Sequence, residues 1–122
     1  MDVVRVLIAD DHPIVREGLR TLIASEPGME MVGEASNGAE AVSLVRRLQP
    51  DVVLMDLIMP VMDGLQAIGQ IKAENPRVSI LVLTSFAEED KVFPAIRAGA
   101  LGYLLKDTAP DQLLQAIYDV HR

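Results

Sequence analysis

The stretch DVVLMDLIMPVMDG runs from Asp51 to Gly64. Its first half is built for burial: Val52, Val53, Leu54 and Met55 are apolar, and two of them are β-branched. A short continuous apolar run of this kind reads as a strand covered on both faces. Asp56 then interrupts it. Burying a lone carboxylate costs several kcal/mol, comparable to the whole net stability of a domain. An acid at the end of such a run needs a reason, and the flanking segments supply one.

The same alternation recurs along the chain. VVRVLIAD (Val3–Asp10) is an apolar run that also ends in an acid, followed by a helical pattern in which Val15, Leu19, Leu22 and Ile23 share one face. Pro13 stands at that helix start, where proline is tolerated. After the break at Glu26–Gly28, MEMVGEA (Met29–Ala35) reads as a second strand, and Asn37-Gly38 turns the chain. Ala41, Val42, Val45 and Leu48 mark a second helix that stops before Pro50. Beyond the third strand, Met59-Pro60 and Asp63-Gly64 form a loop. Leu65, Ile68 and the stem of Lys72 line a third helix ending near Asn75-Pro76. VSILVLTS (Val78–Ser85) is a fourth strand, Val92, Phe93 and Ile96 mark a fourth helix, and Gly99 is its natural stop. GYLLK (Gly102–Lys106) is a fifth strand, and Pro110 opens a last helix with Leu113, Leu114, Ile117 and Val120 apolar.

This is a (βα)5 order. Apolar strands alternating with amphipathic helices imply an α/β fold, a parallel sheet covered on both faces. Five strands favour an open doubly wound sheet over a closed barrel. A chain of 122 residues with half its residues apolar makes one domain with a real core. The last helix pattern runs to the final residue without a cap, so continuation of the chain beyond it is expected. No cysteine is present, which excludes disulfides and thiolate metal sites. No secretory leader pattern opens the sequence, and no apolar run approaches the roughly 20 residues needed to span a bilayer. The net charge is −7 and the basic residues are scattered, so this chain by itself is a poor nucleic-acid binder.

In open α/β sheets, sites form at the C-terminal ends of the strands. Those ends carry, in order, Asp10-Asp11, Asp56, Thr84-Ser85 and Lys106. Two carboxylates about 4 Å apart repel by about 4 kcal/mol at an effective dielectric of 20. Converging acids are therefore poorly ionised, or they recruit a cation. Carboxylate oxygens suit Mg²⁺, which takes one or two protein carboxylates and keeps waters or phosphate oxygens. A carboxylate beside Mg²⁺, a lysine and a hydroxyl suits phosphoryl transfer, which needs positioning and charge neutralisation more than acid–base chemistry. Neither a G-x-G-x-x-G nor a G-x-x-x-x-G-K-[ST] phosphate loop is present, and no G-x-S-x-G elbow.

With those residues in order, the chain resembles the receiver domain of bacterial two-component response regulators over essentially its whole length. The resemblance rests on IADDH with Asp10 and Asp11, VLMDLIMPVMDG with Asp56, Pro60 and Gly64, LTS with Thr84, and GYLLK with Tyr103 and Lys106. DDHPIVREGL and RAGALGYLLKD further resemble the NarL/FixJ (LuxR-type) subfamily, whose members usually carry a C-terminal helix-turn-helix domain. No essential position departs from the pattern.

The resemblance implies a flavodoxin-like sheet of order 2-1-3-4-5, with residues 1–122 forming the receiver. It implies that Asp56 accepts a phosphoryl group from a sensor histidine kinase. Asp10, Asp11, Asp56 and the backbone carbonyl of Ile58 would hold Mg²⁺ or Mn²⁺, and Thr84 and Lys106 would bind the phosphoryl oxygens. Tyr103 would follow Thr84, and the surface of the fourth helix, fifth strand and fifth helix would change and control a homodimer. Such a protein is a cytoplasmic signalling switch that catalyses its own phosphorylation and dephosphorylation. It is not a classical enzyme, it has no membrane association, and it contacts DNA only through a further domain. The Ile58 side chain flanks the phosphoryl site at a position often polar in relatives, and so bears on water access.

Blander roles compete for each residue. Asp10 and Asp11 can cap the helix opening at Pro13. Lys106 beside Asp107 can be a solvated pair, Thr84 an ordinary strand residue, Tyr103 a core aromatic, and His12 an exposed loop residue. Met55, Met59 and Met62 read as packing, and Pro60 and Gly64 as loop-shaping devices. Two other functions share the fold: a Mg²⁺-dependent phosphohydrolase and a phosphorylation-independent interaction module. The former commonly carries a D-x-D pair at its nucleophile, whereas Asp56-Leu57-Ile58 lacks the second acid.

Overall fold

In the computed structural model, which describes residues 3–122, the five apolar runs become strands β1 (Val4–Ala9), β2 (Met29–Ala35), β3 (Val52–Asp56), β4 (Ser79–Thr84) and β5 (Gly102–Leu105). Each is followed by a helix: α1 (Pro13–Ala24), α2 (Gly38–Leu48), α3 (Gly64–Glu74), α4 (Val92–Ala98) and α5 (Pro110–His121). The strands pair in parallel in the order β2-β1-β3-β4-β5. The sheet is therefore doubly wound and flavodoxin-like, as expected.

The two-residue period of the strands divides the core in two. Leu7, Val53, Met55, Ile80 and Val82 meet Val42, Val45, Ile68, Ile71 and Ala95 on the α2–α4 side. Val6, Ile8, Leu54, Leu81 and Leu83 meet Leu19, Ile23, Leu113 and Ile117 on the α1–α5 side. Met55 and Met59 are buried and Met62 packs against the first layer, so all three are core residues.

Local chemistry sets the helix ends. Asn37 and Asp63 cap α2 and α3 through their side chains, which accept from Glu40 N and Gln66 N at 2.9 and 2.8 Å. Asn37 is thus a cap rather than one half of a turn. Gly99, at φ +127°, ends α4 in a conformation that side chains disfavour.

Two expectations about faces need correction. Leu65 points outward on α3, where Ala67, Ile68 and Ile71 fill the core instead. On α4 the buried residues are Val92 and Ala95; Phe93 is 76 % exposed and Ile96 also faces solvent. The helix is only seven residues long and continues a 3-10 turn over Phe86–Lys91, so its apolar residues are too few to fix a face by period.

The loop after β3 is held by its backbone. The Gly64 N–H donates to Leu57 O at 2.9 Å, and Gly38 N–H donates to Met62 O at 2.8 Å. A Cβ on Gly64 would stand 2.1 Å from Asp56 O and 2.8 Å from Leu57 Cα. Only glycine lets α3 start this close to the end of β3, and that contact fixes the backbone that carries Asp56.

Candidate functional site

Pairing register explains how distant residues converge. Asp56 pairs with Leu83, and Leu83 pairs with Leu104. Lys106 lies two residues beyond Leu104, so it projects from the same sheet face as Asp56. Asp10 follows Ile8 by two residues on the neighbouring strand and completes the set. The Lys106 Nζ lies 3.1 Å from Asp10 Oδ2 and 3.2 Å from Asp56 Oδ2. Thr84 pairs with Leu105 and Val82 with Tyr103, which puts Thr84 and Tyr103 in phase with the opposite, α4-side face.

Both paired acids are inside the protein: the side chains of Asp56 and Asp10 are 1 % and 2 % exposed. Neither oxygen of Asp56 accepts a hydrogen bond among the described residues, nor do Asp10 Oδ2 and Asp11 Oδ1. Burial and the neighbouring Asp10 charge push the Asp56 carboxyl above the usual range, while Lys106 and the nearby Ile58 N–H pull the other way. Burial works against the Lys106 charge too, but Asp56 and Asp10 outweigh it and hold its ammonium above the ordinary lysine value. One cation thus faces two buried acids, and the balance leaves a demand for more positive charge.

The residues present fit a divalent cation. Asp10, Asp11, His12 and Asp56 each offer a ligand atom, all within 4.8 Å of one another. Unpartnered, converging carboxylate oxygens are the hard donors that Mg²⁺ takes.

The alternative capping role of Asp10 and Asp11 is not what the structure shows. His12 is the residue that caps α1, with no side-chain cap bond, and Asp10 Oδ1 accepts from the His12 N–H at 2.8 Å. His12 itself differs from expectation. Its ring is 62 % exposed, but Nδ1 lies 3.0 Å from Asp10 Oδ1 and 3.2 Å from Asp11 Oδ1. It folds back onto the acids because Asp10, His12 and the first turn of α1 are adjacent in sequence. Arg16, one turn further, was not visible as a site residue: its Nη1 donates to Asp10 O at 2.6 Å, and its Nε pairs with Glu34 at 3.2 Å. Only the four-residue spacing from His12 hinted at it.

Thr84 is fully buried and donates to Ser85 O at 3.3 Å, a long bond that leaves the hydroxyl available to a better acceptor. Tyr103 is 43 % exposed, so it is not a core aromatic. Ile58 is 42 % exposed, at the rim beside Asp56.

The sequence from residue 6 to residue 118 matches the model of the response regulator receiver domain. The chain belongs to that family. This receiver domain is 50 % identical to the transcriptional regulatory protein LiaR of Bacillus subtilis over 114 residues, which covers 93 % of the chain and 54 % of LiaR. It superposes on the signal receiver domain of the putative response regulator NarL from Mycobacterium tuberculosis with a TM-score of 0.93, at 35 % identity over 99 % of this chain and 98 % of that one. A LuxR-family two-component response regulator from Aurantimonas gives a TM-score of 0.91 at 39 % identity, over 98 % of this chain and 86 % of that one. The receiver domain is therefore of the NarL/LuxR type found in transcriptional regulators, a signalling module rather than a classical enzyme. It spans about half the length of the curated relatives it matches. No helix among the described residues is long and apolar enough to cross a membrane.

Proposed function

We propose that this receiver is a phosphorylation switch whose acceptor is Asp56. One observation carries the reading: a buried carboxylate with no hydrogen bond to either oxygen, facing Lys106 at the C-terminal edge of a parallel sheet. An Asp56 oxygen attacks the phosphorus of a phosphohistidine on a sensor histidine kinase. The P–N bond breaks, its electron pair returns to the imidazole, and an acyl phosphate forms. Asp10, Asp11, Asp56 and the Ile58 carbonyl would hold Mg²⁺, or Mn²⁺ in its place, and the bound ion would supply positive charge to the carboxylates and to the phosphoryl oxygens. Lys106 Nζ and the Thr84 hydroxyl bind the remaining oxygens. Water later attacks the same phosphorus, the bond to the Asp56 oxygen breaks, inorganic phosphate leaves and the carboxylate returns, with the half-exposed Ile58 side chain bearing on water access.

The switch follows from where Thr84 sits. Its hydroxyl leaves Ser85 O for a phosphoryl oxygen, a charge event that biases a two-state element. Tyr103, in phase with Thr84 on β5, turns inward from its exposed position. Phe93 and Ile96 on α4, Leu101 in the connection that follows, and Tyr103 on β5 are already exposed apolar residues. Repacking there alters the α4-β5-α5 surface and with it homodimer formation. In the full-length cytoplasmic protein this would govern a C-terminal helix-turn-helix domain and, through it, transcription.

The test is intact mass after incubation with Mg²⁺ and a small phosphodonor. One added phosphoryl group that does not form when Mg²⁺ is chelated beforehand supports the switch. Sustained turnover of phosphate esters without a lasting adduct would indicate a phosphohydrolase instead.

A further inference from the structure

The acid cluster contains one donor that the hard-cation reading does not use. We propose that His12 is a fourth side-chain ligand of the cation site and gives it a second mode, in which a borderline transition ion is held through imidazole nitrogen as well as carboxylate oxygen. The inference rests on the proposed binding of a divalent cation by the same cluster.

Three observations converge. A ring nitrogen of His12 belongs to the same 4.8 Å group as the oxygens of Asp10, Asp11 and Asp56. Its Nδ1 is aimed between two of those acids, at 3.0 and 3.2 Å. The Asp56 carboxylate, almost wholly buried, presents two oxygens without hydrogen-bond partners to the same space. The His12 side chain makes no cap bond to α1 and most of its ring is in solvent, so its contacts to the two acids are what hold it.

Donor type then sorts the ions. Oxygen-only sets suit Mg²⁺, and adding imidazole favours Co²⁺, Ni²⁺ and Zn²⁺, which bind nitrogen donors better than Mg²⁺ does. The chain contains no cysteine to offer a softer alternative.

Co²⁺ tests this by calorimetry against Mg²⁺ and by paramagnetic NMR. The Co²⁺-over-Mg²⁺ affinity ratio should fall about tenfold or more in His12→Gln, on the scale of losing one metal-site contact. A hyperfine-shifted imidazole resonance should be present in the wild type, absent in His12→Gln, and retained in His121→Gln, which removes the chain's other histidine. His12→Asn serves as a second variant, because asparagine is favoured where His12 begins α1. An unchanged ratio and resonance in both His12 variants, with Mg²⁺ still binding, would overturn the proposal and leave the acid site standing. Failure of the wild type to bind either ion would overturn both.

Discussion

Lys106 Nζ stands 3.2 Å from Asp56 Oδ2, and it divides its charge between that carboxylate and Asp10. The division leaves Asp56 with a carboxyl pushed upward by burial and by its acidic neighbour. Between the usual carboxylate range and the raised value, the folded chain binds more protons than the unfolded one. Stability therefore falls as pH rises through that window, and the penalty is complete only above the raised value. Asp56→Asn should raise stability above that window. The gain should shrink as pH drops into the ordinary carboxylate range. Denaturant melts of both proteins at pH 7 and pH 4 check the sign.

The same imbalance predicts metal-dependent stability. At about 100 times its Kd, Mg²⁺ should add about 2.7 kcal/mol to the folded state, roughly 10 °C in Tm. Asp11→Asn removes a ligand and should abolish most of that shift while changing the metal-free Tm little. Thermal melts with Mg²⁺ and with a chelator read both effects.

Glycine at the start of α3 is required by contact, not by dihedral freedom. A methyl group at Gly64 meets the Asp56 carbonyl and the Leu57 Cα, so Gly64→Ala should destabilise by about 3 kcal/mol or more and displace Asp56. Gly69, in the same helix, has nothing within 4 Å of its added Cβ. Gly69→Ala should stabilise by about 0.5–1 kcal/mol. Opposite signs from two substitutions of the same kind in one helix make the comparison decisive.

Val61 carries the opposite problem. It is β-branched, 85 % exposed, and held at φ +67° with the Met62 N–H donating to Pro60 O at 2.7 Å across it. Left-handed backbone costs about 1–2 kcal/mol at a residue with a Cβ. Val61→Gly should therefore stabilise by about 1 kcal/mol, net of the entropy glycine loses on folding. The strain lies in the loop that follows Asp56, so faster phosphodonor labelling of Val61→Gly would tie it to function, and unchanged labelling would make it purely structural.

The fold was legible because four of the five strands are apolar runs closed by a polar group: Asp10, Asp56, Thr84 and Lys106 are end markers as well as site residues. Their convergence follows from parallel topology, which puts all C-terminal strand ends on one edge. What stayed hidden depended on distance in space. The inward return of His12 and the reach of Arg16 to the Asp10 carbonyl are side-chain contacts without a period. The 3-10 turn at Phe86–Lys91 leaves α4 too short to show its face, so Phe93 read as core when it is surface. The Tyr118 hydroxyl, which donates to Glu26 at 2.6 Å across 92 residues, is another contact of this kind.

The most direct test locates the phosphoryl group itself. After labelling with Mg²⁺ and a small phosphodonor, the chain is digested at low pH and its peptides are weighed. A single phosphoryl increment on the peptide containing Asp56, absent in Asp56→Asn, is the predicted result. An increment on the peptide containing Asp10 and Asp11, or one that persists in Asp56→Asn, would contradict Asp56 as the acceptor.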